Sequence, residues 1–291
     1  MIDGSVSLPD DRTLAYAEWG DPRGEPVFLF HGSAGSRLFR PEEAVTRACG
    51  VRLITVDRPG FGRSDPLPGR TLLGWPEDVA GLAHELAIGS FGVVGYSSGG
   101  PHALACGAVL TQRVTALAVV GCPAPPDGMP GASERLDDAN RILLDAIDGN
   151  PAGAIAAYGE QLAALVEDPT AVLDGPLPEP DRRLRDDPAI LWMWRESLKE
   201  SARQGVVGWA WEAAAVHRPW GFRLEDVRLP VSVWHGRRDT IVPVEHARYL
   251  ADHLATCQLT VWPDAGHGGL VMHWREVLMA IRQPRADESR R

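Results

Sequence analysis

A chain of 291 residues with 44% hydrophobic content is long enough to bury a sizeable core in one large domain, or in a domain that carries an insertion. Its formal net charge is -10 and it has no basic cluster suited to a phosphate backbone, which excludes nucleic acid as an expected partner. The stretch MIDGSVSLPDD has neither a basic nor an apolar signal region, and no apolar run approaches the length of a bilayer span, so a soluble, cytoplasmic protein without a membrane partner is expected.

Taken in order, Ser5–Leu8 and Thr13–Trp19 read as strands joined at Pro9-Asp10-Asp11, a hairpin by its turn chemistry. Val27–Phe30 is a short continuous apolar run that suits a strand covered on both faces; it stops at His31-Gly32-Ser33-Ala34-Gly35. A helix from about Pro41 leads to a second buried strand, Val51–Val56, which ends in Asp57-Arg58-Pro59-Gly60. An amphipathic segment over Leu72–Ala87 precedes the apolar run at Phe91, and an alanine-rich helix then leads to the strand Val114–Val120. Such alternation is the signature of a mostly parallel sheet with helices on both faces, whose ligands bind beyond the C-terminal strand ends.

After Gly121 the alternation breaks for about a hundred residues, and no convincing sheet strand returns until Val231–Trp234. Helical spacing is present here: Leu136, Leu143, Leu144 and Ile147 share one face, and Ile155, Tyr158, Leu162 and Leu165 another. Two further helices are expected over Ala189–Arg203 and Val206–Val216, with Asp168–Pro188 as a mobile loop. Five of the ten tryptophans fall in this insertion, and Trp192 and Trp194 cannot both face the same side of one helix. The sheet pattern then resumes with a helix from about Val244 to Leu254, the strand Gln258–Trp262 and a helix from about Leu270 to Ile281, followed by the solvated tail QPRADESRR. Cys49, Cys106, Cys122 and Cys257 are scattered without a C-x-x-C pair, which argues against a metal site or a disulfide framework; Cys106 is expected to act as a buried small hydrophobe.

The chemistry centres on Gly95-Tyr96-Ser97-Ser98-Gly99, a G-x-S-x-G pentapeptide between a strand and a helix. So tight a turn throws the Ser97 side chain out above the sheet edge, where the N-terminus of the next helix favours negative charge. A serine hydroxyl is a weak nucleophile and needs a base held by a third group. Asp239 and His267 lie just past the two resumed strands, at the edge that carries Ser97, and their chain order is the one expected for this elbow. His246 and His273 are weaker alternatives for the base, since both fall within expected helices, while Asp57 and Arg58 suit an internal ion pair or backbone bonds beside the site.

With these residues in place the chain resembles a capped, serine-nucleophile α/β-hydrolase fold protein. The matching segments are His31-Gly32-Ser33, DRPGFGRSDP at Asp57–Pro66, GYSSGG at Gly95–Gly100, HGRRDTIVP at His235–Pro243 and AGHGG at Ala265–Gly269, in the family's order over nearly the whole chain. The resemblance implies an eight-stranded, mostly parallel sheet formed by residues 1–122 and 221–291, with a helical cap over 123–220 inserted after the sixth strand. It implies a Ser97–His267–Asp239 triad, with Asp127 as an alternative acid, and an oxyanion hole made by the backbone N–H groups of Ser33 and Ser98. His31, Tyr96, Trp192, Trp194 and Trp209 are the candidate substrate contacts. No metal or organic cofactor is expected, the expected partner is a small apolar or acyl-bearing substrate, and a homodimer is open as the assembly.

Three functions compete. The first is a serine hydrolase of esters, lactones or thioesters. The second uses the same triad for C–C bond hydrolysis, acyl transfer, perhydrolysis or cyclisation, and the third is a binding protein on the same fold. Serine rather than aspartate at position 97 argues against the dehalogenase and epoxide hydrolase branches of the family, which use a carboxylate nucleophile.

Overall fold

The structure, a computed structural model, describes residues 2–129 and 138–282. Leu136 of the expected helical face and the QPRADESRR tail lie outside the described residues. The strands are β1 (Ile2–Ser7), β2 (Thr13–Gly20), β3 (Glu25–Phe30), β4 (Val51–Val56), β5 (Phe91–Tyr96), β6 (Val114–Val120), β7 (Val231–Gly236) and β8 (Cys257–Trp262). They form one sheet in the order β1-β2-β4-β3-β5-β6-β7-β8. β2 runs antiparallel to both of its neighbours, and every pairing from β4 to β8 is parallel.

The apolar strands are buried on both faces, and their alternation divides them between two cores. Phe28, Phe30, Ile54, Val93, Val119 and Val233 pack into one cluster, while Val27, Leu29, Leu53, Val94, Val120 and Trp234 pack into the other. The helices α1 (Glu43–Ala48), α2 (Trp75–Glu85) and α3 (Gly99–Val109) fall between the early strands. The sheet order reverses where β3 and β5 pair, so the turns that follow these two strands flank the switch point, the place where open α/β sheets bind ligands.

Between β6 and β7 there is no sheet strand among the described residues; the segment forms α4 (Asp138–Ala146), α5 (Pro151–Gln161), α6 (Ala163–Glu167), α7 (Glu179–Arg185), α8 (Pro188–Ser201) and α9 (Val207–Val216). It has its own apolar cluster, built on Leu143, Ile147, Tyr158, Trp209 and Trp211, into which Phe61 reaches from the loop after β4. The stretch 168–188, expected to be a mobile loop, instead contains a 3₁₀ turn at Pro169–Asp174 and the helix α7. Glu179 and Asp181 in the first turn of α7 and Arg182, Arg183 and Arg185 in its last complement the helix dipole despite the prolines around them. After β7 come α10 (Glu245–His253) and, following β8, α11 (Gly269–Met272) and α12 (Trp274–Ile281), which divide at His273 the single helix expected from Leu270. Among the described residues no helix is long and apolar enough to cross a membrane.

Candidate active site

Ser97 follows β5 with φ of 53°, a left-handed conformation that is costly for a residue with a side chain. Its N–H donates to Val120 O at 2.9 Å and its C=O accepts from Gly100 N–H at 2.8 Å, so the strained turn is pinned at both ends. The flanking glycines are required by close approach: a Cβ at Gly95 would lie 2.6 Å from Gly100 Cα, and one at Gly99 would run into Phe30 O. Ser98 caps the eleven-residue α3, which brings the positive end of its dipole to the Ser97 turn.

His267 and Asp239 come to this point from the turns after β8 and β7. His267 Nε2 accepts the Ser97 hydroxyl at 3.0 Å, and His267 Nδ1–H donates to Asp239 Oδ2 at 2.7 Å. Asp239 Oδ1 accepts the N–H groups of Ile241 and Val242, each at 2.9 Å. Burial alone would raise the Asp239 carboxyl, but the facing His267 and these bonds outweigh it and leave its pKa lowered. His235, whose part the sequence reading left unassigned, donates from Nε2 to Val242 O at 2.7 Å and so ties together the turn that carries Asp239. The expected alternatives lie elsewhere: Asp127 is exposed in a turn, His246 accepts from Ala124 N–H, and His273 stacks on Trp262. A chain of this kind can pass a serine proton to imidazole while the carboxylate holds the imidazole tautomer.

The loop His31–Gly35 lies beside Ser97; a Cβ at Gly32 would be 3.2 Å from Ser97 Cβ. Two of its carbonyls are gripped from behind by Arg58, which donates to His31 O at 2.7 Å and Gly32 O at 3.3 Å. Arg58 is fully buried and pairs with Glu212 of α9, which also takes Arg70 at 2.7 Å. Burial would raise the Glu212 carboxyl, but the surrounding charge, chiefly that of Arg58, holds it well below the usual range. The neighbouring Asp57 accepts from the backbone and guanidinium of Arg37.

His102 of α3 completes this buried group: its Nδ1–H donates to Ser98 O at 3.0 Å and its Nε2 accepts from Arg70 at 3.3 Å. Burial drives its pKa down from 6.5 to about 3. On acidification the unfolded chain takes up this proton near 6.5 and the folded chain does so only near 3. Stability therefore falls as pH drops through that window, by about 1.4 kcal/mol per pH unit for this one group. In unfolding melts taken across the window, His102→Gln should show a shallower dependence on pH than the parent, and equal slopes would sink the assignment.

A cavity of about 280 Å³ opens above Ser97, lined on the sheet side by Gly32, Ser33, Phe39, Tyr96 and His267, and by Ile241. The inserted helical segment supplies Leu173, Leu177, Asp181, Trp194, Ser197 and Leu198. Of the candidate substrate contacts, Tyr96 and Trp194 line this cavity and the other three do not. His31 is buried behind the loop, stacked edge-on against Phe61; Trp209 is buried in the core of the insertion, with its Nε1–H on Ser201 Oγ; and Trp192 is 58% exposed. The two-residue spacing separates Trp192 from Trp194 as helical geometry requires. Ser33 lines the cavity, whereas Ser98 is buried beneath it. Among the carboxylates of the site, Asp181 and Glu212 are not indicated by the sequence analysis.

A family model described as alpha/beta hydrolase fold matches residues 25–273. A bifunctional esterase/perhydrolase from Acinetobacter calcoaceticus is 25% identical over 292 residues, covering 91% of this chain and 93% of its own. A 2-hydroxymuconate semialdehyde hydrolase from a Pseudomonas species is 29% identical over 269 residues, covering 86% of this chain and 83% of its own. Among solved structures, a bromoperoxidase from Bacillus anthracis superposes with a TM-score of 0.72 at 22% identity, covering 96% of this chain and 99% of that one, a likeness that speaks to the fold.

Proposed function

This chain belongs to the α/β-hydrolase fold family, and from that premise we propose that it is a serine hydrolase that cleaves an ester, lactone or thioester of a neutral, apolar acyl group. The observation that carries the reading is the unbroken line of hydrogen bonds from Ser97 Oγ through His267 to Asp239 on the floor of the cavity. Ser97 Oγ attacks the carbonyl carbon while His267 Nε2 takes its proton, and Asp239 stabilises the imidazolium that forms. The carbonyl oxygen becomes an oxyanion, which the backbone N–H groups of Ser98 and Ser33 stabilise; a donor of this kind contributes about 3 kcal/mol to the transition state. The C–O or C–S bond then breaks as His267 returns the proton to the leaving group. Water, deprotonated by the same imidazole, attacks the acyl carbon, and the acid leaves as His267 returns that proton to Ser97 Oγ.

Residues 123–220 act as the cap, whose helices form the roof of the acyl site. Phe39, Tyr96, Leu173, Leu177, Trp194, Leu198 and Ile241 make that site apolar, and its described lining holds no lysine or arginine. Asp181, the one carboxylate among the described lining residues, opposes a second, so a substrate with an acidic group on its acyl chain fits poorly. The volume, at the small end of ligand sites, favours a short acyl chain.

Intact-protein mass after exposure to a fluorophosphonate, with the adduct mapped by peptide sequencing, tests the nucleophile: one adduct on Ser97 is expected. A panel of p-nitrophenyl esters tests the pocket. The butyrate should exceed the laurate, and the valerate should exceed the mono-ester of glutaric acid, which differs by a terminal carboxylate, by roughly tenfold or more in kcat/KM. A folded protein that takes no label points instead to a binding protein, and labelling without turnover of any ester points to C–C bond hydrolysis or acyl transfer on the same triad.

A further inference from the structure

We propose that Asp181, which the helical insertion contributes to the cavity wall, is a positioning residue that holds the His267 loop in its working geometry and so ties the seat of the insertion to the base of the triad. The inference rests on the serine-hydrolase reading above. Asp181 lies in the first turn of α7 and is 3% exposed. Its Oδ2 accepts the N–H of His267 and its Oδ1 the N–H of Gly268, both at 2.9 Å, so one carboxylate takes two successive backbone donors. On the other side of the peptide, Tyr96 donates its hydroxyl to His267 O at 3.1 Å. The backbone of His267 is thus held by the insertion at its N–H and by β5 at its carbonyl, while Asp239 fixes its ring.

The glycines on either side of His267 have their reason in this contact. Gly268 has φ of −69°, which any residue adopts, so backbone conformation does not call for glycine there. A Cβ at Gly268 would run into Leu184 and lie 3.1 Å from Asp181 Oδ1, and one at Gly266 would run into Asp181 Oδ2. The missing side chains make room for a carboxylate arriving from 86 residues away in the chain. Bonds from an ionised carboxylate to backbone N–H groups are among the strong ones, and displacing a reacting group by about 1 Å can cost on the order of 100-fold in rate.

The test uses the full chain with Asp181→Asn, Asp181→Ala and Gly266→Ala. The readouts are the rate of Ser97 phosphonylation per folded molecule, kcat and KM for p-nitrophenyl butyrate, and amide exchange of the peptide spanning residues 263–270. Phosphonylation rate and kcat should fall together by roughly 10- to 100-fold, with KM changed only a few-fold and loop exchange accelerated. Asp181→Asn/Gly266→Ala should be no worse than the poorer single variant, because both changes break one contact. Phosphonylation at the parent's rate in Asp181→Ala, or strict additivity in the double variant, would overturn the proposal. A parent that takes no label at Ser97 removes the hydrolase reading itself, and loop exchange then still reports whether Asp181 holds the loop.

Discussion

Ser97→Ala should leave a folded protein whose ester turnover is lower in kcat by on the order of 10⁶-fold. The loss is chemical rather than structural. Alanine at φ of 53° bears the same backbone strain as serine, and the bonds that pin the turn, the one donated to Val120 O and the one accepted from Gly100 N–H, are made by the main chain. Stability should therefore change by less than about 1 kcal/mol, as a melting curve would check. Asp239→Asn should cost about 10⁴-fold in kcat, and for a reason specific to this site. Oδ1 accepts two N–H donors, from Ile241 and Val242, so the amide oxygen must stay there and the amide NH₂ must face His267 Nδ1. The imidazole then has to accept at Nδ1 and carry its proton on Nε2, where it can no longer take one from Ser97. A double variant should be no slower than Ser97→Ala alone. A Ser97→Ala enzyme that keeps a hundredth of the parent's rate would end the covalent mechanism.

What the sequence made legible and what it hid divide along one physical line. In a parallel sheet every strand's C-terminal end lies on the same edge, so Ser97, Asp239 and His267 could be brought together from their positions after apolar runs, without knowledge of any contact. Glycines around Ser97 marked a tight turn for the same local reason. The missed residues act through partners distant in the chain, on which spacing is silent. Glu212 pairs with Arg58 across 154 residues; its signal was a lone acid in the alanine-rich helix WAWEAAAV, every residue of which is buried, because a charge at such a position demands a partner. Asp181 was hidden in a stretch whose prolines read as loop, although EPDRRLR, acidic at its start and basic at its end, carries a helix signature. Trp209 stands among the candidate substrate contacts because tryptophan suits an apolar pocket as well as a helix–helix core, and the structure buries it in the core of the insertion.

Glu212→Gln should be among the most destabilising single substitutions in the molecule, by about 3 to 5 kcal/mol, because it leaves two buried guanidinium groups facing a neutral amide. Arg58 is fully buried and Arg70 nearly so, so neither guanidinium has bulk water at hand to replace the lost carboxylate. The effect should reach the chemistry as well. Arg58 grips the carbonyls of His31 and Gly32, so an Arg58 that shifts toward solvent carries with it the loop whose Ser33 N–H is assigned to the oxyanion. The two consequences separate in a cycle with Arg58→Met. Removing that cation alongside Glu212 takes away one of the stranded charges, so the double variant should be more stable than the sum of the single losses by at least about 1 kcal/mol. Its His31–Gly35 loop nevertheless stays unbraced, and kcat should remain depressed by roughly the 10- to 100-fold expected for a misplaced donor. Chemical denaturation of the four proteins measures the first quantity and ester kinetics the second. If Glu212→Gln costs less than 1 kcal/mol, the network is not a structural anchor; if the double variant recovers both stability and rate, the loop does not depend on Arg58.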